Sequence, residues 1–374
     1  MRSGHGLTPD VIVIGGGIVG VAAATHLALA GRSVTLIERD GIAAAASGRN
    51  SGVVQHPFDP SLVELHLESL ELYRDLDGLS IPAEPVGLLS VTRDEDAARR
   101  LAIDLEVSQP HLRPTFLAAH EVRRLEPAIA AGVAACRLDI GYPVGPAAAT
   151  HAYAALALRH SVDIRLGMAA SIERDDGKVA GVILDGDERL ATHDVVVAAG
   201  PWTPALVDPS GAWRPIISLW GVVVPVTLEA PPSHVLEEVE ISIEPGAEAD
   251  DETGHAFSLV TADGASSLGS TFLTEEPAPD ALLPSLVRRG SRFVPAIADA
   301  ALGAPRRCAR PLSLDGRPLI GAVPGIAGLW VAAGHGPWGI STGPASGRLI
   351  ADVVSGVVRP PAALDPARFG PPGS

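Results

Sequence analysis

Residues 11–38 read VIVIGGGIVGVAAATHLALAGRSVTLIE, and this stretch decides the fold of the chain. Val11–Ile14 is a short apolar run suited to a buried parallel strand, and Ile18–Ala30 reads as a helix. Val34–Ile37 is a second apolar run, which delivers Glu38 at its carboxyl end. A strand, a glycine-rich turn, a helix, a second strand and an acid about 20 residues after the turn together predict a βαβ unit that binds a dinucleotide.

The turn of this unit carries the G-x-G-x-x-G pattern. Gly15 permits the tight turn, Gly17 lets a pyrophosphate approach the backbone, and Gly20 allows the helix to pack closely on the strand. The phosphates then lie at the positive end of the helix, and Glu38 accepts hydrogen bonds from the adenosine ribose. From this unit we predict the following dinucleotide contacts: Gly15, Gly17, Ile18, Val19, Gly20, Glu38 and Arg39.

Composition narrows the class of protein. The chain has 374 residues, 47% hydrophobic and 19% charged, so it is long enough for two folded domains. Its net charge of −16 argues against nucleic acid or an anionic membrane as a partner, because both need a basic face. No apolar run approaches the roughly 20 residues of a membrane span. Cys136 and Cys308 are the only cysteines, so we expect no disulfide framework and a cytoplasmic location. No metal is expected either, because the acidic run Asp250–Glu252 beside His255 is typical of a solvated loop.

The pattern of a buried strand before a glycine-rich turn recurs at Val195–Ala199 and Leu329–Ala333. Between them lie alternating runs typical of an antiparallel sheet: Ile216–Val226, Val239–Ile243, Phe257–Thr261 and Ser267–Leu273. We therefore predict an α/β chain (α+β overall), with a Rossmann-like cofactor domain built from discontinuous segments and an inserted antiparallel-sheet substrate domain. The predicted boundaries are 1–82, 143–215 and 306–360 for the cofactor domain, 83–142 and 216–305 for the substrate domain, and 361–374 for a loose C-terminal tail.

Five blocks of this sequence, taken together and in order, resemble the D-amino-acid oxidase-like family of FAD-dependent oxidoreductases, the group that contains glycine oxidase, sarcosine oxidase and D-amino-acid dehydrogenase. They span nearly the whole chain: Val11–Glu38, Ala46–Val54, Val195–Trp202, Arg310–Gly321 and Gly328–Gly347. The resemblance implies that the protein is an enzyme and that its dinucleotide is FAD. The blocks at 47–52 and 334–340 argue against an NAD(P) dehydrogenase with the same glycine pattern.

The resemblance also implies where the flavin lies. The second block offers hydrogen-bond donors between small residues, which let a flavin ring lie against the backbone. In the last block, the turn after the final strand would aim a helix N-terminus at the flavin N1–C2=O edge, where reduction places negative charge. The further FAD contacts implied are Ser47, Gly48, Arg49, Asn50, Ser51, Gly52, Ala170, Ala199, Gly200, Trp202, Gly334, His335, Gly336, Trp338, Gly339 and Ile340.

Arg310 and His335 are the expected catalytic residues. In glycine oxidase and D-amino-acid dehydrogenase relatives, an Arg-Pro pair at this place holds the substrate carboxylate, a task that suits the guanidinium fork. His335 contacts the flavin or the substrate cavity, or else caps its own turn. Cys308 stands where sarcosine-oxidase relatives carry the cysteine joined to the flavin, whereas glycine-oxidase relatives bind FAD without a covalent bond. Both alternatives stay open.

The implied reaction is oxidation of the C–N bond of a small amino acid, of the D-amino acid or glycine type. Hydride passes to flavin N5, and the resulting imine is hydrolysed. An N-methyl amino acid such as sarcosine is the second substrate class, although Gly269–Phe272 lacks the lysine that speeds the oxygen reaction in sarcosine oxidases. The alternative is a flavoprotein subunit of a larger electron-transfer complex. Oxygen or another acceptor would take the electrons, and a homo-oligomer is compatible with the sequence.

Overall fold

Val11–Ile14 forms the first strand, β1, at the centre of a six-stranded sheet. The computed structural model describes residues 8–239 and 254–373 of the chain. All four residues of β1 are buried, and both of its neighbours run parallel to it, as the apolar pattern predicts. In spatial order the sheet contains β19 (Leu319–Ala322), β20 (Leu329–Ala333), β12 (Asp194–Val197), β1, β2 (Val34–Glu38) and β8 (Asp163–Leu166).

A second sheet has nine strands. In spatial order these are β17 (Ala301–Leu302), β13 (Ile216–Thr227), β16 (Ala265–Thr271), β15 (His255–Ala262), β14 (Val235–Glu238), β4 (Leu88–Thr92), β6 (Ala134–Leu138) and β5 (Thr115–Leu117), with β18 (Arg306–Ser313) paired to β13. Its pairs are antiparallel except for β14 and β4, which run parallel. The expectation of a wholly antiparallel sheet is wrong for this pair, because segments far apart in sequence are not constrained by a hairpin turn.

Two smaller sheets and the helices complete the fold. One sheet contains β11 (Arg189–Ala191), β10 (Lys178–Leu184) and β9 (Ala170–Asp175), and the other contains β3 (Val53–Val54) and β7 (Tyr142–Pro143). The helices are α1 (Ile18–Leu29), α2 (Ala46–Arg49), α3 (Val63–Arg74), α4 (Glu95–Ser108), α5 (Ala119–Leu125), α6 (Ala148–Arg159), α7 (Thr203–Val207), α8 (Leu283–Ser291) and α9 (Gly339–Val354). Within the described ranges, none of them is long and apolar enough to cross a membrane. The α/β expectation is confirmed.

Two segments differ from the sequence expectation, and a third lies almost wholly outside the described residues. Strand β18 belongs to the nine-stranded sheet, although residues 306–313 fall within the predicted cofactor segments. The predicted strand Val239–Ile243 lies outside the described residues except for Val239, and β14 ends just before it. Residues 361–373 are not a loose tail: the Leu364 side chain is buried, and its carbonyl accepts the Ile320 N–H at 2.8 Å. One buried leucine and a paired backbone are enough to dock a segment rich in Pro and Gly.

Candidate active site

A cavity of about 400 Å³ joins the dinucleotide loop to Arg310 and His335. One end begins at the carboxyl ends of β1 and β2, and the other lies between β18 and the start of α9. The predicted site residues that line it are Gly15, Gly17, Ile18, Val19, Glu38, Arg39, Ser47, Asn50, Ala170, Ala199, Gly200, Trp202, Cys308, Arg310, His335, Gly336, Gly339 and Ile340. The structure thus brings residues from most of the chain to one cavity.

The glycines of the first loop allow neighbouring backbone atoms to approach closely. Gly15 has a φ of +121°, and a Cβ there would lie 2.4 Å from the Ala198 carbonyl oxygen. A Cβ on Gly20 would lie 1.9 Å from the Gly15 carbonyl oxygen, so the approach of α1 to the loop requires a glycine. Gly20 is therefore a packing residue and does not line the cavity itself.

Polar contacts fix the entrance to α1. The Glu38 carboxylate accepts the Gly16 N–H at 2.6 Å, and Ser47 Oγ accepts the Ile18 N–H at 3.0 Å. Ser47 comes from α2, inside the second of the five blocks. Its hydroxyl therefore ties that segment to the positive end of α1.

Arg39 and Trp202 meet at the rim of the cavity beyond Glu38. The Arg39 guanidinium lies over the Trp202 ring, 4.8 Å from its centroid, and the indole is 42% exposed. Such a cation–π contact is favourable at an exposed position. Trp202 thus forms part of the cavity wall at the end where the sequence places adenosine.

Several predicted contacts do not line the cavity. Arg49 is exposed and donates to the Arg307 carbonyl at 3.3 Å, and Trp338 packs edge-on against Phe58. The predicted residues that do not line the cavity are Gly20, Gly48, Arg49, Ser51, Gly52, Gly334 and Trp338. Sequence spacing places residues in a segment, but it does not tell which way each side chain of a short turn faces.

The hydrogen-bond partners of Arg310 within the described ranges are all neutral. Its guanidinium donates to the Thr271 carbonyl at 2.7 Å and to Ser270 Oγ at 2.5 Å, and it lies 4.6 Å from the centroid of the Phe272 ring. No carboxylate lies within 4.0 Å of it among the described residues. Burial lowers the pKa of Arg310, yet the group stays protonated because guanidinium is so weakly acidic.

His335 is buried and uncharged at neutral pH, because burial lowers its pKa to about 4. Its Nε2 lies 3.0 Å from Ser346 Oγ, and that hydroxyl donates to the Thr342 carbonyl at 2.8 Å. Because the Ser346 hydroxyl proton is donated to Thr342, Ser346 Oγ accepts from His335 Nε2–H. The proton of the neutral imidazole is therefore on Nε2, and Nδ1 is unprotonated. The turn-capping alternative receives no support, since the His335 side chain makes no cap contact.

Cys308 is buried and lines the cavity between the two halves of the fold. Burial raises the pKa of its thiol, and the nearby guanidinium groups of Arg310, Arg49 and Arg306 oppose that shift. The sulfur is therefore a neutral thiol at neutral pH, which is the less nucleophilic form.

The residues present fit a bound FAD. Helices α1 and α9 both begin at the cavity, and neither has a side-chain cap from its N-cap residue, so two positive helix ends face the space. Glu38 lies at one end for a ribose, and the small residues Ala199 and Gly200 line the path between them. A metal site has no such support: no group of three His, Cys, Asp or Glu residues suited to a metal occurs within 8–239 and 254–373, and Asp250–Glu252 lie outside those ranges.

Sequence reasoning missed the residues that position Arg310. A Cβ on Gly221 would lie 2.5 Å from Arg310 Cζ, so this glycine of β13 leaves space for the guanidinium. A glycine inside an apolar strand is a known signal of close approach, and here it was available in the run Ile216–Val226. Ser270 and Phe272 carry no comparable signal.

The comparisons with known proteins agree with this geometry. A family model described as FAD dependent oxidoreductase (DAO) matches residues 10–353. A glycine oxidase of Pseudomonas aeruginosa is 30% identical, over 98% of this chain and 100% of that protein. A D-amino acid dehydrogenase of Xanthobacter autotrophicus is 27% identical, over 92% of this chain and 95% of that protein. The crystal structure of glycine oxidase from Bacillus cereus superposes with a TM-score of 0.78 at 26% identity, over 94% of this chain and 96% of that chain.

Proposed function

This chain belongs to the DAO family of FAD-dependent oxidoreductases, and on that premise we propose that it oxidises the C–N bond of a small amino acid whose carboxylate is held by Arg310. One observation carries the proposal. Arg310 is a cation without an acidic partner among the described residues, and it lines the same cavity as the dinucleotide loop. A desolvated cation of this kind is stabilised by an anionic ligand.

Arg310 has donors to spare for that ligand. A guanidinium carries five N–H donors, and the contacts to Thr271 and Ser270 use one hydrogen on each Nη atom. The remaining N–H groups can donate to both oxygens of one carboxylate in bidentate geometry. Because the Gly221 backbone and the Phe272 ring hold the guanidinium plane, Arg310 orients the substrate as well as binding it.

The cofactor contacts would come from Gly15–Val19 and Glu38 at the adenosine end and from Gly339 and Ile340 at the flavin end. When bound, FAD supplies the two-electron oxidant, which takes up the hydrogen of the substrate α-carbon together with its electron pair. The product is an imine, which water hydrolyses to a keto acid and ammonia. The free N-terminus of α9 favours negative charge at that end of the cavity. His335, being neutral, adds no competing positive charge for the substrate carboxylate.

An anaerobic titration tests the proposal. The purified holoprotein is mixed with glycine, D-alanine, D-lysine and sarcosine in turn, and the flavin absorbance is followed. We expect bleaching by glycine or a D-amino acid and formation of the matching keto acid and ammonia. A flavoprotein that no member of the panel reduces, but that an electron-transfer partner reduces, would contradict the proposal and support the alternative of an electron-transfer subunit.

A further inference from the structure

Glu237 lies on the sheet face that carries Arg310, and its carboxylate has no cationic partner in the part of the chain that the structure describes. Along β14 the side chains alternate: Glu238 pairs with Arg289 of α8 at 2.7 Å, so Glu237 points from the opposite face. There its Oε2 accepts the Gln55 amide Nε2–H at 3.0 Å. No other hydrogen bond or ion pair of the carboxylate occurs among the described residues.

The surroundings of Glu237 leave its charge uncompensated. Burial raises the pKa of Glu237, and the Gln55 hydrogen bond only partly opposes that shift. His56, which follows Gln55 in the chain, carries no positive charge at neutral pH, since burial lowers its pKa to about 4. A carboxylate held at reduced solvation with a neutral amide as its only partner is stabilised by a bound cation.

Cross-strand register connects Glu237 with Arg310. Glu237 lies opposite Ser258, and Ser258 lies opposite Gly269 on the next strand, so the three residues form one row across the sheet. With neighbouring strands about 4.8 Å apart, Glu237 and Gly269 are separated by roughly 10 Å. The row continues to Val223 and Arg306. Arg310 pairs with Leu219, further along β13, and its guanidinium reaches back to Ser270 and Thr271, which follow Gly269.

The middle of this row is polar and carries no large side chain. Gly269 carries no side chain, and a Cβ there would lie 3.0 Å from Ser258 Oγ. Ser258 is 7% exposed, and its hydroxyl has no hydrogen-bond partner among the described residues. A buried hydroxyl without a partner between a cation and an anion points to a polar ligand that bridges them.

Gln55 connects the row to the flavin end of the cavity. Its backbone N–H donates to Ser341 Oγ at 2.9 Å, and Ser341 directly follows Ile340 in the first turn of α9. Gln55 therefore links the Glu237 carboxylate of the nine-stranded sheet to helix α9, which begins at the cavity. Glu237 and Gln55 therefore lie near the cavity and not on a remote surface.

We propose that Glu237 is a specificity residue that binds the distal cationic group of a basic amino acid, while Arg310 holds its α-carboxylate. The inference rests on the proposed function and names its substrate class: amino acids with a side-chain ammonium or guanidinium group, such as D-lysine, D-ornithine and D-arginine. The roughly 10 Å between Glu237 and Gly269 is a backbone separation across two strand spacings, which the Glu237 side chain and a long ligand side chain together cover. Gln55 positions the carboxylate and does not touch the reacting atoms.

The test compares ligands that differ only in the distal charge. Binding of 6-aminohexanoate and of hexanoate to the holoprotein is measured by calorimetry, since neither carries an α-amino group. We expect 6-aminohexanoate to bind at least about tenfold more tightly, a difference of about 1.4 kcal/mol. In Glu237→Gln, which keeps the shape and removes the charge, that preference should disappear. Glu238→Gln, on the opposite face of the same strand, is the matched control and should retain it.

Turnover measurements distinguish a failure of this inference from a failure of the proposed function. The wild type should prefer D-lysine over D-norleucine by about tenfold or more in kcat/KM, and Glu237→Gln should lose only that preference. Equal affinity for both hexanoates, or a preference that survives in Glu237→Gln, overturns the role of Glu237 and leaves the oxidation of amino acids standing. A charge preference in binding without reduction of the flavin by any amino acid would support Glu237 and contradict the proposed function instead.

Discussion

Gly221 lies against Arg310 so closely that a methyl group on the glycine would be 2.5 Å from the guanidinium carbon and both of its terminal nitrogens. The two residues come from paired strands, β13 and β18, and the glycine is two register positions away from the arginine, on the same face of the sheet. The missing side chain is what allows the Arg310 side chain to lie flat on the sheet. The position of the proposed carboxylate anchor therefore depends on a residue with no functional group.

Gly221→Ala should displace the Arg310 guanidinium. We expect the dissociation constant of a carboxylate ligand to rise by about tenfold or more, because a bidentate contact tolerates little displacement. FAD content should stay unchanged, since Gly221 does not line the cavity. Ligand titration followed by flavin absorbance measures the effect. Gly41→Ala is the matched control, because a Cβ there would meet nothing within 4 Å, and an equal effect of both variants would contradict the account.

The sequence predicted the cofactor half of the site better than the substrate half. The strand, glycine turn and helix around Gly15 are local, so their spacing alone determines their geometry. The neighbours of Arg310 come from β13 and β16, which are distant in sequence, and nothing in a single sequence reports which strands pair. Glu237 was missed for the same reason, since its parallel pairing with β4 crosses a long stretch of chain.

Gly347→Ala should destabilise the cofactor half of the fold. A Cβ at this position of α9 would lie 2.5 Å from the Ala22 Cβ and 2.6 Å from the Ala23 backbone nitrogen in α1. Overpacking of this kind costs about 1–3 kcal/mol, because backbone must move to relieve it. Urea unfolding of the holoprotein measures the change. Gly41→Ala again serves as control, and an unchanged midpoint in Gly347→Ala would show that α1 and α9 pack less closely than described.

Stability should fall as the pH drops below about 6.5, because several histidines are buried in the uncharged form. Burial lowers the pKa of His66 to about 4, so the unfolded chain takes up a proton in this range before the folded chain does. His66→Asn should reduce the slope of unfolding free energy against pH by up to about 1.4 kcal/mol per unit between pH ~4 and ~6.5. Denaturant titrations at a series of pH values measure this slope. His160→Asn, at an exposed position, is the control, and an equal slope in wild type and His66→Asn would contradict the prediction.

FAD should leave the protein on acid precipitation. A bond to the flavin requires the thiolate of a cysteine, and burial raises the pKa of Cys308 despite the nearby arginines. We therefore expect the visible flavin spectrum in the supernatant of the precipitated wild type, and the same result for Cys308→Ser. Flavin that stays with precipitated wild type but is released from Cys308→Ser would establish a covalent link.

The most direct test of the central claim is the anaerobic reduction of the flavin by substrate in wild type and Arg310→Ala. If Arg310 holds the substrate carboxylate, the variant should bind FAD normally but show a dissociation constant for the amino acid raised by about 100-fold, while an amine without a carboxylate loses nothing. Arg310→Lys should restore part of the affinity, because it keeps the charge and loses the fork. An unchanged dissociation constant for the amino acid in Arg310→Ala, with normal FAD content, would contradict the account.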